Sequence, residues 1–185
     1  MNLEQRSIKG NVWIFDLDGT LWEENSHVCI VEKYLRKKKY TNLLSRVWCR
    51  LSFSSYMNAL DKDYQEMPKE AIKKFNPTIV KKTDEMIKAA LSRKEQVMIL
   101  SSAPNEIVNE AARIFGVPAY HADIGKKSEV LKNLTNQLNQ IVVVTDNLSD
   151  KDLIALSNRT FFRVTRTRNK RKLKQYQDKI VFLEK

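Results

Sequence analysis

No stretch of about 20 consecutive apolar residues occurs in this chain, so no segment reads as a membrane-spanning helix. Cysteine is scarce. Cys29 and Cys49 are the only two, and they form neither a metal-ligand spacing nor a disulfide framework. Both are expected as buried or half-buried thiols in a reducing compartment. The N-terminus Met1-Asn2-Leu3-Glu4-Gln5-Arg6 is polar and lacks the apolar core of a secretory signal, so the expected location is cytoplasmic. Internal repeats and low-complexity linkers are missing too. What remains is a chain of 185 residues, the length of one domain or of a core domain with a modest insertion, and long enough to bury a core without staples.

Charge of one sign is in excess. The formal net charge is +11 and the isoelectric point is near 9.6. The segment Arg159 to Lys185 holds ten basic residues against Asp178 and Glu184, and Glu23 to Glu95 holds sixteen against ten. The remaining segments are slightly acidic. Such a balance suits anionic partners: phosphorylated substrates, nucleic acid or an acidic membrane surface. A solvated basic face is the plain alternative for the tail.

The most informative stretch is Val12-Trp13-Ile14-Phe15-Asp16-Leu17-Asp18-Gly19-Thr20. A continuous apolar run of this kind marks a strand buried on both faces, and Gly19 supplies the turn that stops it. Two carboxylates at such a strand end leave on the same side, where open α/β sheets place their active sites. Paired acids there suit a divalent metal, a nucleophile with a proton carrier, or both. The same grammar recurs: Val97-Met98-Ile99-Leu100 runs into Ser101-Ser102, and Ile141-Val142-Val143-Val144 runs into Thr145-Asp146-Asn147. Phe161 to Val164 and Ile180 to Leu183 read as later, peripheral strands. Helical spacing appears over Asn105 to Phe115, stopped by Gly116 and Pro118, over Ser128 to Leu138, and over Ser149 to Ser157. Strands alternating with helices predict a Rossmann-like parallel sheet with helices on both faces and right-handed crossovers.

One stretch breaks the alternation. Between Glu23 and Glu95 only helical patterning occurs: His27 to Arg36, a stripe of Leu44, Val47, Trp48 and Leu51, a helix begun by Pro68, and Thr83 to Ser92. The expected organisation is an α/β core formed by residues 1–22 and 96–185, with residues 23–95 inserted as a helical cap between the first two core strands. The Trp48 stripe, with Arg46 and Arg50, is expected in the core of the cap rather than at a membrane. His27 and His121 read as packing or surface residues.

Taken in order, Asp16 and Asp18, then Ser101, then Lys126-Lys127, then Asp146 and Asp150 resemble the haloacid dehalogenase superfamily of phosphohydrolases, in its phosphoserine-phosphatase-like branch with a helical cap of the first type. The resemblance covers roughly Asn11 to Thr20 and Gln96 to Arg159. It implies a Mg²⁺-dependent phosphomonoesterase in which Asp16 is the nucleophile, giving an aspartyl-phosphate, and Asp18 is the general acid and base. Ser101, with Ser102 as its rival, would hydrogen-bond a phosphate oxygen. Lys127 would neutralise phosphoryl charge; it is preferred to Lys126 because Leu131 follows it by four. The implied metal set is Asp16, the Asp18 backbone carbonyl and Asp146, with Asp150 as a further ligand or an orienting group. Ser149-Asp150-Lys151-Asp152 also reads as a capped helix start.

The departures from the family pattern are informative. Asp18 argues against dehalogenation and against the cation pumps, which carry threonine there. The glutamate that phosphoserine phosphatases place nine residues after the nucleophile is Asn25 here, which argues against phosphoserine. The substrate expected is an unidentified small phosphorylated molecule, and the basic excess of the cap favours one with negative charge beyond the phosphate. A phosphomutase using the same motifs stays open. The alternatives use the basic segment 159–174: a nucleic-acid end-phosphatase or binding protein, or a phospholipid phosphatase docked to an anionic membrane through that segment or the Trp48 helix.

Overall fold

Strand β1 (Lys9–Phe15) is the middle of the molecule, and its side chains divide the core in two. Val12 and Ile14 face one way, against Met98, Leu100, Ile141 and Val143, with Leu131 and Leu153 from covering helices. Trp13 and Phe15 face the other, among Val97, Ile99, Val144, Ile87, Ile107, Val108 and Ala111. A strand packed on both faces needs an apolar residue at every position, which is why the run is continuous rather than alternating.

The computed structural model describes residues 9–134, 137–165 and 168–184. Beside β1 lie β2 (Gln96–Ser101), β3 (Ala119–His121), β4 (Gln137–Thr145), β5 (Arg159–Arg163) and β6 (Ile180–Leu183). They pair in parallel in the order β3-β2-β1-β4-β5-β6. The chain builds outward from β1 to β3, then crosses to the other side of β1 to start β4. That reversal puts a crevice beyond the carboxyl ends of β1 and β4, the place where open parallel sheets bind ligands.

The helices are α1 (Ser26–Leu35), α2 (Leu43–Leu51), α3 (Phe53–Gln65), α4 (Lys69–Lys73), α5 (Lys81–Ser92), α6 (Asn105–Phe115), α7 (Lys127–Leu134), α8 (Lys151–Leu156) and α9 (Arg168–Lys172). Helices α5 and α6 contribute Ile87, Ile107, Val108 and Ala111 to one face of the sheet. Helices α7 and α8 contribute Leu131 and Leu153 to the other. Gly116 ends α6 with φ +64°, the left-handed C-terminal turn that glycine favours. Helices α1 to α4 leave and rejoin the core through a two-stranded hinge. Trp22 bridges Ile79 in antiparallel fashion, Glu23 N donates to Thr78 O at 2.9 Å, and Val80 N donates to Leu21 O at 2.9 Å. Helix α5, which the sequence reading places in the insertion, follows this hinge and packs on β2.

Several local expectations change. Strand β3, only three residues long after Pro118, gives no apolar run by which the sequence would mark it. Helix α3 adds to the helices read from the sequence, with Phe53, Tyr56, Met57, Leu60 and Tyr64 helically spaced along it. Helical spacing after Ser128 predicts Leu138 in that helix; it lies in β4, while residues 135–136 lie outside the described residues. The helix expected from Ser149 begins as a 3-10 turn over Leu148–Asp150. The Trp48 stripe is split. Trp48 is half-buried against Tyr56, whereas Leu43, Leu44, Val47 and Leu51 are exposed, because the inward face of α2 is made by Ser45, Trp48 and Cys49. Among the described residues, no helix is long and apolar enough to cross a membrane.

Candidate active site

Asp16 is the first residue past β1, and its amide donates to Val144 O at 2.9 Å, prolonging the β1–β4 pairing by one step. Its carboxylate is thereby fixed in the crevice. Lys127, the first residue of α7 and only 2% exposed, enters from the side. Its Nζ donates to Asp16 Oδ1 at 2.6 Å and to Asp150 Oδ2 at 2.8 Å. Burial works against the charge of this lysine. The two flanking carboxylates outweigh it and hold its pKa above the ordinary lysine value. Lys126, in contrast, is exposed and lies 3.5 Å from Asp123. Asp150, 1% exposed, also accepts from Thr145 Oγ1 at 2.7 Å. It therefore orients Lys127 at the same time as it begins the 3-10 turn's passage into α8.

Asp146 follows β4 as Asp16 follows β1. Its amide donates to Thr20 Oγ1 at 2.9 Å. The same hydroxyl lies 3.4 Å from Asp16 Oδ2 and 3.4 Å from Asp146 Oδ1, so one threonine touches both carboxylates. Gly19 allows that approach. Its φ is +75°, and a Cβ there would lie 2.5 Å from Asp146 Oδ2. Asp18 sits across the crevice, where its Oδ1 accepts from the Ser26 amide at 3.0 Å. The cap's first helix thus holds this carboxyl directly. Burial pushes Asp18 up to about 7, with the Ser26 contact acting against the rise, and a carboxyl so placed can hold a proton near neutral pH.

The strand ends bring Asp16, Lys127, Asp146 and Asp150 into one bonded cluster, with Asp18 tied to α1 beside it. Ser101 is buried at the end of β2 and accepts from the Ala103 amide at 3.1 Å, which leaves its own proton to donate; no bond joins it to the carboxylates. Ser102 instead lines the cavity described below.

Three residues that hold the cluster were not singled out from the sequence. Thr20 and Thr145 are the hydroxyls that knit the carboxylates. Thr20 could have been found, since it stands inside the Asp16-to-Thr20 motif. Arg163 belongs by sequence to the basic tail, yet it is buried: Nη1 donates to Gly19 O at 2.6 Å, and Nη2 donates to both Glu23 carboxylate oxygens at 2.6 and 2.7 Å. It clamps the loop that carries Asp18 to the start of the cap. Asn25 caps α1 through Val28 N at 3.1 Å, and Glu24 takes Thr78 Oγ1 at 2.6 Å, so both residues serve the hinge.

A metal's fit follows from the donor set. Among the described residues no group of three or more His, Cys, Asp or Glu side chains forms a ready-made cage. Lys127 stands between Asp16 and Asp150, and Asp18 is turned to Ser26. The oxygens of Asp16 and Asp146 nevertheless flank one hydroxyl, and Asp146 is pushed up to about 7 by burial and by its neighbours Asp16 and Asp150. Such an excess of buried carboxylate oxygen fits a hard divalent ion of the Mg²⁺ type, which commonly takes only one or two protein carboxylates.

A cavity of about 620 Å³ opens between α1, α3 and the loops after β2 and β3. His27, Asp61, Ser102, Glu106, His121 and Asp123 supply its polar lining, with Phe53, Met57 and Ile124 as apolar wall. Both histidines therefore face the cavity rather than plain surface. Burial keeps the His27 pKa below the ordinary value against the opposing pull of Asp61, 3.6 Å from its Nε2. Among the described residues no lysine or arginine lines this space. Of the cap lysines, Lys39 pairs with Asp63 at 2.7 Å, inside the cap.

No protein-family model matches the chain, and no curated protein matches it in sequence. Solved structures do. A phosphoserine phosphatase in a phospho-aspartyl intermediate analogue state is 17% identical, with 95% of this chain and 93% of that chain covered at TM-score 0.67. A substrate-bound phosphoserine phosphatase is also 17% identical, at 95% and 94% coverage and TM-score 0.69. The chain has a haloacid-dehalogenase-like fold. A hydrolase of the haloacid dehalogenase family from Salmonella enterica serovar Typhi shares that fold at 12% identity and TM-score 0.71, with 91% of this chain and 67% of that chain covered. The likeness to phosphoserine phosphatase runs through nearly the whole chain, helical insertion included.

Proposed function

We propose that this protein is a Mg²⁺-dependent phosphomonoesterase that works through an aspartyl-phosphate on Asp16. The observation that carries the reading is the Lys127 ammonium held between Asp16 Oδ1 and Asp150 Oδ2 at the crevice of the sheet. A nucleophilic carboxylate beside a fixed buried cation is what phosphoryl transfer requires, because its barrier is lowered mainly by positioning and charge neutralisation. Asp16 attacks phosphorus through one carboxylate oxygen as the P–O bond to the leaving group breaks. Asp18 gives its proton to the departing alkoxide, then removes one from the water that attacks the phosphorus of the aspartyl-phosphate. Lys127 and the Ser101 hydroxyl draw charge from the phosphoryl oxygens. Asp150 and Thr145 keep the lysine aimed. Asp16 and Asp146, with the Asp18 backbone carbonyl, would hold the metal. A divalent ion bound there supplies Lewis-acid stabilisation of the phosphoryl group.

The cavity favours a leaving group that is neutral or cationic and partly apolar, since Asp61, Glu106 and Asp123 line it with, among the described residues, no lysine or arginine beside them. A second phosphate or carboxylate on the substrate would meet those acids. The nucleic-acid alternative draws less support. Arg163 is internal, Arg159 lies over the Phe161 ring and Lys170 pairs with Glu184, while Arg166 lies outside the described residues.

Purified protein should hydrolyse p-nitrophenyl phosphate with Mg²⁺ and stop on chelation. Among natural esters, those with an amine-bearing leaving group should exceed those with a second anionic group. Mg²⁺ should also raise the unfolding temperature of the wild type, as any ligand confined to the native state does. Asp146→Asn should remove most of that rise. A folded protein inert toward every phosphomonoester, with an unfolding temperature indifferent to Mg²⁺, refutes the reading.

A further inference from the structure

Helix α2 is turned inside out relative to an ordinary surface helix. At about 100° per residue, Leu43, Leu44, Val47 and Leu51 fall on one face, Arg46 and Arg50 on its flank, and Ser45, Trp48 and Cys49 on the side that packs inward. The apolar face is the solvent face: Leu43 is 76% exposed, Leu44 81% and Leu51 83%. Phe53, two residues further on, is 52% exposed. Arg36, Lys37 and Lys38, in the turn before α2, are exposed as well. Scattered exposed leucines need no explanation, but a contiguous apolar face does.

We infer that the outer face of α2, with Phe53, docks on an anionic lipid bilayer. Charge decides the occupant. Apolar side chains flanked by arginine, on a protein of net charge +11, are the composition of helices that lie in a lipid–water interface, with leucines among the acyl chains and guanidinium groups at the phosphates. A second copy of the chain fits worse. Two-fold packing sets the same patch against itself, and would gather Arg46 and Arg50 of both copies at one contact with no acid on α2 to offset them. With nine residues and four outward apolar side chains, the helix gives reversible attachment rather than insertion. Phe53 also forms part of the wall of the cavity lined by His27 and Ser102. Docking therefore holds one wall of that cavity at the headgroup layer. The use of that placement for catalysis rests on the phosphatase reading, whereas the docking does not.

The test is co-sedimentation of the full chain with vesicles of phosphatidylcholine alone or mixed with phosphatidylglycerol, at low salt. The wild type is expected to sediment with the mixed vesicles at least tenfold more strongly than with phosphatidylcholine. Arg46→Gln with Arg50→Gln should weaken this about thirtyfold, at roughly fivefold per basic residue near an anionic surface. Leu44→Glu with Leu51→Glu should abolish it, with circular dichroism and unfolding temperature unchanged because both leucines stand in solvent. Failure of the wild type to bind mixed vesicles overturns the inference. So does undiminished binding of the leucine variant, which would put the contact in the C-terminal basic segment. A wild-type dimer in light scattering that the leucine variant dissolves, with no vesicle binding, overturns it in favour of self-association.

Discussion

Asp16→Asn is expected to lower phosphomonoester turnover by ~10⁴-fold or more, the scale on which removing the nucleophile of a covalent mechanism acts. The amide keeps the shape of the carboxylate and can still meet Thr20 Oγ1, so the fold should persist. It lacks the anionic oxygen that attacks phosphorus, and it turns one of the two contacts of Lys127 from an ion pair into a hydrogen bond at best. Steady-state hydrolysis of p-nitrophenyl phosphate, with circular dichroism as the control for folding, checks this. Turnover within tenfold of the wild type in the folded variant would remove Asp16 from the chemistry.

The second large effect concerns stability. Lys127→Met replaces a long cationic side chain by an apolar one of similar reach, at a site where Asp16 and Asp150 are both buried. Breaking a buried ion pair from one side costs about 3–5 kcal/mol because the abandoned charge stays desolvated. Here one lysine serves two carboxylates at 2.6 and 2.8 Å, so the loss should lie toward the upper end of that range. Equilibrium urea unfolding measures it directly. Activity should fall with it, since no cation would remain on that side of Asp16. Pairing the substitution with Asp150→Asn should recover part of the stability but not the activity, because only one of the stranded charges is removed. A change in stability below 1 kcal/mol would mean that water, not Lys127, balances the carboxylates.

Much of this arrangement was legible in the sequence, and the reason is physical. Strands β1, β2 and β4 are covered on both faces, so they appear as apolar runs, and the residues that stop such runs are the ones that face the crevice. Asp16, Asp18, Ser101 and Asp146 could be placed for that reason alone. Lys127 needed more: its neighbour Lys126 has the same chemistry, and only the start of α7 decides which of them turns inward. Strand β3 was invisible because three half-buried residues carry no pattern. Arg163 was misleading because a buried arginine and a solvated one look alike in sequence; the partners that bury it, Gly19 O and Glu23, are far away along the chain. Helix α2 shows the other limit. Its apolar stripe was plain, but periodicity says only that a helix has an apolar face, never whether that face points at the core. Trp48 pointed in, and the leucines did not.

The central claim is that phosphoryl groups pass through Asp16. Asp18→Asn tests it most directly with p-nitrophenyl phosphate, whose leaving group needs no proton while the attacking water still needs a base. The variant should therefore release one equivalent of p-nitrophenol per protein in a rapid burst and then stall. Mass spectrometry after acid quench should find a single phosphoryl group on the peptide that carries Asp16, removable by hydroxylamine as an acyl phosphate is. A phosphoryl group on any other side chain, or steady turnover with no burst and no phosphorylated Asp16, would contradict the account.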